Sequence, residues 1–309
     1  MSRTFKIGTR NSRLALAQTK QVILALKKAD PSIQAEIVEI TTTGDKFLGD
    51  LSKVGGKGVF VKEIEDALLA GRIDMAMHSM KDVPNDLPKG LIIAAMIERD
   101  DIRDVVVCRE GDSFEGLKEG SKVGTSSLRR ASQLRRNFPH LEVVPIRGNI
   151  DTRMKKMENG DVDAIVLAKA GLDRLNWQNR INVVFEPDMM LPAVGQGALG
   201  VECRADDEET LALLKKANHM DTFTAVSAER ELSKNLGGNC HTPIAGYCEV
   251  TKGGNLRLIA HVTSQDGKTL VRARHKMEYN EAVLLGKTTA DDLLSQGAQA
   301  IIDEIKEGE

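Results

Sequence analysis

Ile7-Gly8-Thr9-Arg10-Asn11-Ser12-Arg13-Leu14 and, further along, Val123-Gly124-Thr125-Ser126-Ser127-Leu128-Arg129-Arg130 describe one device written twice. Each is a strand end, a Gly-Thr turn and the start of a helix. A second matched pair follows in the same order. Gly71-Arg72-Ile73-Asp74-Met75-Ala76-Met77 and Gly160-Asp161-Val162-Asp163-Ala164-Ile165-Val166 both combine a helix end, a turn and a buried strand. Two matched features in one order predict two similar lobes, and two lobes imply a cleft between them.

Around the first device, residues 5–8 read as a strand. Leu14, Ala15, Ala17, Val22, Leu24 and Leu26 supply the apolar face of a helix that Asp30-Pro31 ends. Short β-branched runs alternate with amphipathic stretches to about residue 175, the pattern of α/β units around a mostly parallel sheet. Asp100-Asp101-Ile102-Arg103 and Leu191-Pro192-Ala193-Val194-Gly195-Gln196-Gly197 are the expected crossing points, the second returning the chain to lobe one. A helix over 221–236, a Gly237-Gly238-Asn239 break, strand-like runs that include 256–262 and 269–274, and a final helix predict a small C-terminal α+β domain. The segment from Gly44 to Gly58 packs five glycines into fifteen residues. It reads equally as a solvated connector and as an anion-closing lid.

The bulk numbers agree with a multidomain globular chain. Its 309 residues exceed one ordinary domain, and 41% hydrophobic with 28% charged residues is neither disordered nor fibrous. A net charge of −2 gives no global reason to expect nucleic acid. No run of 18 apolar residues is available to span a membrane, and the N-terminus lacks a secretory apolar stretch, so a cytoplasmic protein is expected. Cys108, Cys203, Cys240 and Cys248 show no metal-ligand spacing and are expected as reduced thiols, with no metal site.

Where a strand ends in Gly-Thr/Ser and a helix begins, free N–H groups, hydroxyls and the helix dipole favour an anion. For any one of Thr9, Ser12, Thr125, Ser126 and Ser127, helix capping is the ordinary role. Arg10, Arg129, Arg130, Arg147 and Arg153 all fall at strand ends or first helical turns, where a guanidinium grips a carboxylate at two points. Singly each is weak evidence; as a cluster they point to a polycarboxylate ligand. Lys81 and Asp82, in His78-Ser79-Met80-Lys81-Asp82-Val83-Pro84, emerge at the C-terminal edge of a strand, where α/β clefts bind ligands. Opposite several arginines, Asp82 becomes an acidic group able to stabilise a cation or move a proton. His78 is expected to satisfy a backbone group. On spacing alone, Cys240 is an unpaired thiol in a glycine-rich loop.

These motifs, with Lys53-Val54-Gly55-Gly56-Lys57-Gly58, Arg147-Gly148-Asn149 and Pro192-Ala193-Val194-Gly195-Gln196-Gly197, resemble those of the porphobilinogen deaminase family, in family order and over nearly the whole chain. The resemblance implies an α/β protein of three domains: two periplasmic-binding-protein-like lobes around a cleft, plus the C-terminal domain. The boundaries expected are 1–98 with 198–218 for lobe one, 99–197 for lobe two and 219–309 for the domain carrying the cofactor cysteine. It implies a dipyrromethane cofactor in thioether linkage to Cys240, although this chain reads Gly-Gly-Asn-Cys-His-Thr-Pro where the family commonly has Glu-Gly-Gly-Cys-Gln-Val-Pro. By position, Asp82 is the catalytic carboxylate. Lys81, Thr125, Ser127, Arg129 and Arg130 hold cofactor carboxylates, and Arg10, Ser12, Arg147 and Arg153 lie on the substrate side. The implied activity is a transferase that condenses four porphobilinogen units into hydroxymethylbilane in haem biosynthesis, acting as a monomer on a small-molecule substrate without nucleic acid or membrane. A two-lobed anion-binding protein without chemistry fits the lobes and arginines equally, but has no need of a third domain presenting Cys240.

Overall fold

The computed structural model describes residues 3–46, 61–238 and 242–307. They divide into two units, one formed by Met1–Asp100 with Gly197–Phe223 and the other by Asp101–Gln196 with Thr224–Glu309. In chain order the elements are β1 (Thr4–Arg10), α1 (Arg13–Ala29), β2 (Gln34–Ile40), α2 (Thr43–Lys46), α3 (Lys62–Leu69), β3 (Met75–Ser79) and β4 (Leu91–Met96). There follow β5 (Asp104–Cys108), β6 (Lys122–Gly124), α4 (Leu128–Asn137), β7 (Glu142–Val144), α5 (Ile150–Glu158), β8 (Ala164–Ala168), α6 (Lys169–Arg174) and β9 (Val183–Val184). The chain closes with β10 (Leu199–Arg204), α7 (Glu208–Ala217), α8 (Met220–Asn235), β11 (Ile244–Val250), β12 (Leu256–Thr263), β13 (Leu270–Met277), α9 (Ala282–Ser295) and α10 (Ala298–Glu307).

The sheet orders are β2-β1-β3-β10-β4 in the first unit and β7-β6-β8-β5-β9 in the second. Position by position they correspond. β1 is parallel to β2 and β3, as β6 is to β7 and β8, while β10 and β5 run antiparallel to both of their neighbours. Each antiparallel strand is the first after a point where the chain changes unit, so it enters against the direction of the others. For this reason the sheets are mixed rather than mostly parallel. The repeat extends to single atoms. Asp74 accepts from the Lys6 N–H at 2.7 Å and returns its own N–H to the Lys6 carbonyl; Asp163 does the same with Lys122, at 2.8 Å. A guanidinium then neutralises each carboxylate, Arg3 for Asp74 and Arg109 for Asp163.

Strand alternation fills both faces of each sheet. Met75 and Met77 pack with Ala15, Val22 and Leu26 of α1 and with Leu213 and Leu214 of α7, whereas Ala76 joins Ile64 and Leu68 of α3 on the other face. In the second unit Val105 and Val107 meet Met154 and Met157 of α5, and Val106 meets Leu134 of α4. Burying each of the Val, Leu, Ile and Met side chains contributes about 1.5–3 kcal/mol. Leu24 departs from the expected helix face, being 68% exposed. It follows Val22 by two residues, which on a helix is more than half a turn, so the two cannot share a stripe. The three antiparallel strands β11-β12-β13 pack on α8, α9 and α10 around a core of their own. The expected final helix is two, with Gly297 between α9 and α10. No helix among the described residues is long and apolar enough to cross a membrane.

Candidate functional site

In the second unit β6 ends at Gly124 and α4 begins at Leu128, and the residues between supply hydrogen-bonding groups at the helix start. Ser127 is the N-cap, accepting from the Arg130 N–H at 3.4 Å; Thr125 Oγ1 accepts from the Ser127 N–H at 3.2 Å; Ser126 donates to the Ile146 carbonyl. A hydroxyl that accepts one bond keeps its own proton to donate, so capping leaves Thr125 and Ser127 competent to hold an anion.

Arg129 and Arg130 lie in the first turn of α4, where positive charge opposes the helix dipole. Both are nonetheless buried, at 4% and 6% exposure, because they share Asp104, which is fully buried at the head of β5. Arg129 Nη1 donates to Asp104 Oδ2 at 2.7 Å and to the Leu191 carbonyl at 2.8 Å. Arg130 donates to Asp104 Oδ1 through Nη2 at 2.7 Å and Nε at 3.1 Å. Burial alone would raise the Asp104 pKa, but the two guanidinium charges overcome it and hold the carboxyl well below the usual carboxylate range. Burial lowers Arg129, against the pull of Asp104. Two guanidiniums on one carboxylate leave a net positive charge, and Arg129 Nε is buried without a hydrogen-bond partner. The cluster therefore suits a ligand carboxylate, which would supply both the missing charge and the missing acceptor.

Arg147 is exposed on the turn leading into α5, and Arg153 is half-buried in its first turn. Gly148 makes the turn with φ +118, and a Cβ there would lie 2.7 Å from the Thr152 side chain, so only glycine fits. Asn149 caps α5 through Thr152, and Arg153 Nε donates to the Gly148 carbonyl at 2.8 Å.

In the first unit Arg10 ends β1 and Ser12 caps α1, accepting from the Ala15 N–H at 3.2 Å. Lys81 and Asp82 sit on one 3-10 turn, Met80–Asp82, directly after β3; Met80 is buried beneath it, Lys81 is half-buried and Asp82 is exposed. His78 does not satisfy a backbone group as expected. Its Nε2 lies 2.9 Å from Glu202 on β10, and both side chains are buried. Nearby on α3, burial and then the Glu202 charge push Glu65 up to about 7. Cys240 and residues 47–60, which hold most of the glycine-rich segment, lie outside the described residues. Cys108, Cys203 and Cys248 are buried in strands.

Two buried polar residues escaped the sequence reading. Asp104 heads the run Asp-Val-Val-Val-Cys, and an acid introducing a fully apolar strand signals a buried carboxylate that needs a cation. Gln196 lies inside the second crossing segment. Its Nε2 donates to the Ile102 carbonyl at 2.6 Å and to Asp104 Oδ1 at 3.0 Å, so one amide joins the second crossing segment to the first and to the Asp104 carboxylate.

Residues 5–212 match the family model described as porphobilinogen deaminase, dipyromethane cofactor binding domain, and residues 223–295 match the porphobilinogen deaminase C-terminal domain. The chain is 48% identical to porphobilinogen deaminase of Syntrophobacter fumaroxidans, covering 98% of each chain. It is 48% identical to that of Bacillus velezensis, over 99% of this chain and 97% of the other, and 45% identical to that of Staphylococcus carnosus, over 99% of each. Among solved structures, the Bordetella pertussis BvgS periplasmic VFT2 domain aligns with a TM-score of 0.41 and 16% identity, over 69% of this chain and 86% of that one.

Asp104→Asn is expected to lower stability by about 3–5 kcal/mol, the scale for removing one partner of a buried ion pair, measured by urea unfolding at neutral pH. The folded Asp104 pKa lies below its unfolded value, so its stabilisation is present above about pH 4 and lost as pH falls further. The parent and Asp104→Asn stabilities should therefore converge on acidification.

Proposed function

The chain belongs to the porphobilinogen deaminase family, and we propose that Asp82 is its catalytic carboxylate and Cys240 the residue that carries the dipyrromethane. The activity is the family's: stepwise deaminative condensation of four porphobilinogen units into hydroxymethylbilane on a dipyrromethane primer, a transferase reaction of tetrapyrrole biosynthesis. In this proposal Lys81, Thr125, Ser127, Arg129 and Arg130 hold cofactor carboxylates, while Arg10, Ser12, Arg147 and Arg153 hold those of the substrate side. The observation that carries it is the pair Arg129 and Arg130 sharing the single carboxylate of Asp104, with Arg129 Nε unsatisfied. The bound dipyrromethane supplies the pyrrole carbon at which the chain is extended.

When the aminomethyl C–N bond of the ammonium form of porphobilinogen breaks, ammonia leaves with the bonding pair and an electron-poor, cationic azafulvene remains. A carboxylate on the exposed turn after β3, as Asp82 is, stabilises that positive charge most when it is largest, in the transition state. Every added pyrrole brings an acetate and a propionate, and their mutual repulsion grows with chain length. Arg147 and Arg153, at the start of α5, would offset the later additions, and Arg10 with Ser12, at the start of α1, would meet incoming carboxylates. For the attachment residue, the alternatives are poor nucleophiles. Burial pushes Cys108 up to about 11 and Cys203 up to about 12, and Cys248 is 1% exposed inside β11. Cys240 instead follows Gly237-Gly238 after α8. We further propose a cytoplasmic monomer that binds no nucleic acid. The division into 1–98 with 198–218, 99–197 and 219–309 is supported by the separate core of the C-terminal sheet.

Intact mass of the active protein should exceed the chain mass by two linked pyrrole units, and Cys240→Ser should remove the increment; an adduct mapped to Cys108, Cys203 or Cys248 would contradict the attachment. Asp82→Asn should load cofactor yet turn over at least about a hundredfold more slowly, the scale for losing a key electrostatic or proton-transfer group. Near-normal turnover in the loaded variant would remove Asp82 from the chemistry. Arg147→Leu and Arg153→Leu should load cofactor and then stall at intermediate chain lengths, counted by mass spectrometry after limited substrate addition; elongation like the parent's would refute their role.

A further inference from the structure

Within the second unit, the last turn of α4 and the strands β12 and β13 border a cavity of about 190 Å³ whose lining includes Arg136, Asn137, Asp188, His261 and Arg272. The hairpin joining β12 to β13 is seated on α4. Gly267 at its tip has φ +79, and a Cβ there would come within 2.7 Å of the Arg136 backbone nitrogen. Arg136 Nη1 donates to the Gly267 and Lys268 carbonyls at 3.2 and 3.1 Å, and Arg135 Nη1 to the Gln265 carbonyl at 2.7 Å. These bonds tether the exposed Arg136 side chain to the hairpin.

His261 and Arg272 stand directly opposite each other on β12 and β13, so their side chains share one face of the sheet. His261 is 8% exposed, and its Nε2 is buried with no hydrogen-bond partner. A buried polar atom left unsatisfied is destabilising, and a ligand acceptor or donor would relieve it. The lining carries two guanidiniums, Arg136 and Arg272, against one carboxylate. That carboxylate, Asp188, is 92% exposed and 3.3 Å from Arg272, which is itself 48% exposed, so water weakens the pair and Asp188 only partly offsets the two guanidiniums.

We propose that this cavity binds a small oxyanion of the phosphate or carboxylate class, with Arg136 and Arg272 as its charge partners and His261 as its hydrogen-bond partner. Its volume is below the roughly 300–1,000 Å³ of sites that take drug-sized ligands, which suits a small anion and not a pyrrole chain. The charged groups facing His261 are Arg129 and Arg136 from α4, Arg272 from β13 and Asp188 from the segment before the second crossing. Burial first, then the charges of Arg129, Arg272 and Arg136, push His261 down to about 3. An anion bound here would offset those charges and raise it. α4 carries the buried pair Arg129 and Arg130 in its first turn and Arg136 in its last, so the bound anion would rest on the helix that holds the polycarboxylate arginines.

The test is a titration of the cofactor-loaded enzyme with inorganic phosphate, and in parallel with succinate, at constant ionic strength made up with chloride. Histidine ring resonances are followed by NMR, and His261 is assigned by its loss in His261→Gln. The expected result is a saturable shift of the His261 signal and a His261 pKa that rises on saturation. Arg272→Gln should weaken the affinity at least about tenfold, the loss of one charge-assisted hydrogen bond. Asp188→Asn, an exposed change that leaves the core intact, should tighten it about two- to threefold by removing the competing carboxylate. Saturation by phosphate alone assigns the phosphate class, and by succinate alone the carboxylate class. A His261 signal that responds to neither anion, that responds equally to chloride, or whose response is untouched by both substitutions would overturn the proposal.

Discussion

Asp104 is one carboxylate serving two buried guanidiniums, and the second unit is organised around that shortage of negative charge. A charge can be taken from water only with a close partner, since the desolvation of each ion costs several kcal/mol even after relaxation. Arg129 and Arg130 meet that condition through Asp104 and through the Leu191 and Val166 carbonyls. Gln196 brings the second crossing segment to the same carboxylate, and Gln133 of α4 holds Leu191 through both its N–H and its carbonyl. The helix that presents the arginines is thus tied to the segments where the chain changes unit. An altered Arg129 or Arg130 would disturb the core as well as any ligand, so the two effects have to be separated by measuring stability beside cofactor loading.

Within the same unit, a second buried carboxylate ties the second crossing segment to the C-terminal sheet. Glu229 on α8 accepts from the Gly195 N–H at 2.7 Å and from the Cys248 N–H at 2.8 Å, joining the second crossing segment to β11. The Gly246 N–H donates to the Pro192 carbonyl beside it. α8 then runs on to the Gly237-Gly238 break before Cys240, so the helix that leads to the proposed attachment residue is anchored against the segment that also reaches Asp104.

Repetition of a sheet order does not mean repetition of chemistry. Both units use a Gly-Thr turn, a serine N-cap and an aspartate that closes the first strand. After β8 the chain continues into α6, however, whereas after β3 it makes a single 3-10 turn that leaves Asp82 exposed. One unit concentrates buried guanidiniums on α4, and the other leaves an acid exposed after β3.

Much of this was legible in the sequence because it depends on local periodicity and turn chemistry. The paired Gly-Thr-hydroxyl devices, the strands at Met75 and Ala164, and Asp82 on the turn after β3 follow from patterns a few residues long, which neighbouring residues decide. The role of His78, the mixed sense of the sheets and the sharing of Asp104 were not legible in that way. His78 meets Glu202, Asp104 meets Arg129, and Gln196 meets both Ile102 and Asp104 across separations in sequence that no periodicity spans. The sequence by itself determined which residues carry charge and placed the strands and helices on either side of the two Gly-Thr turns. The tertiary structure alone decided which charges are buried together, because the cost of desolvation, and hence the need for a partner, exists only once the chain has folded around them.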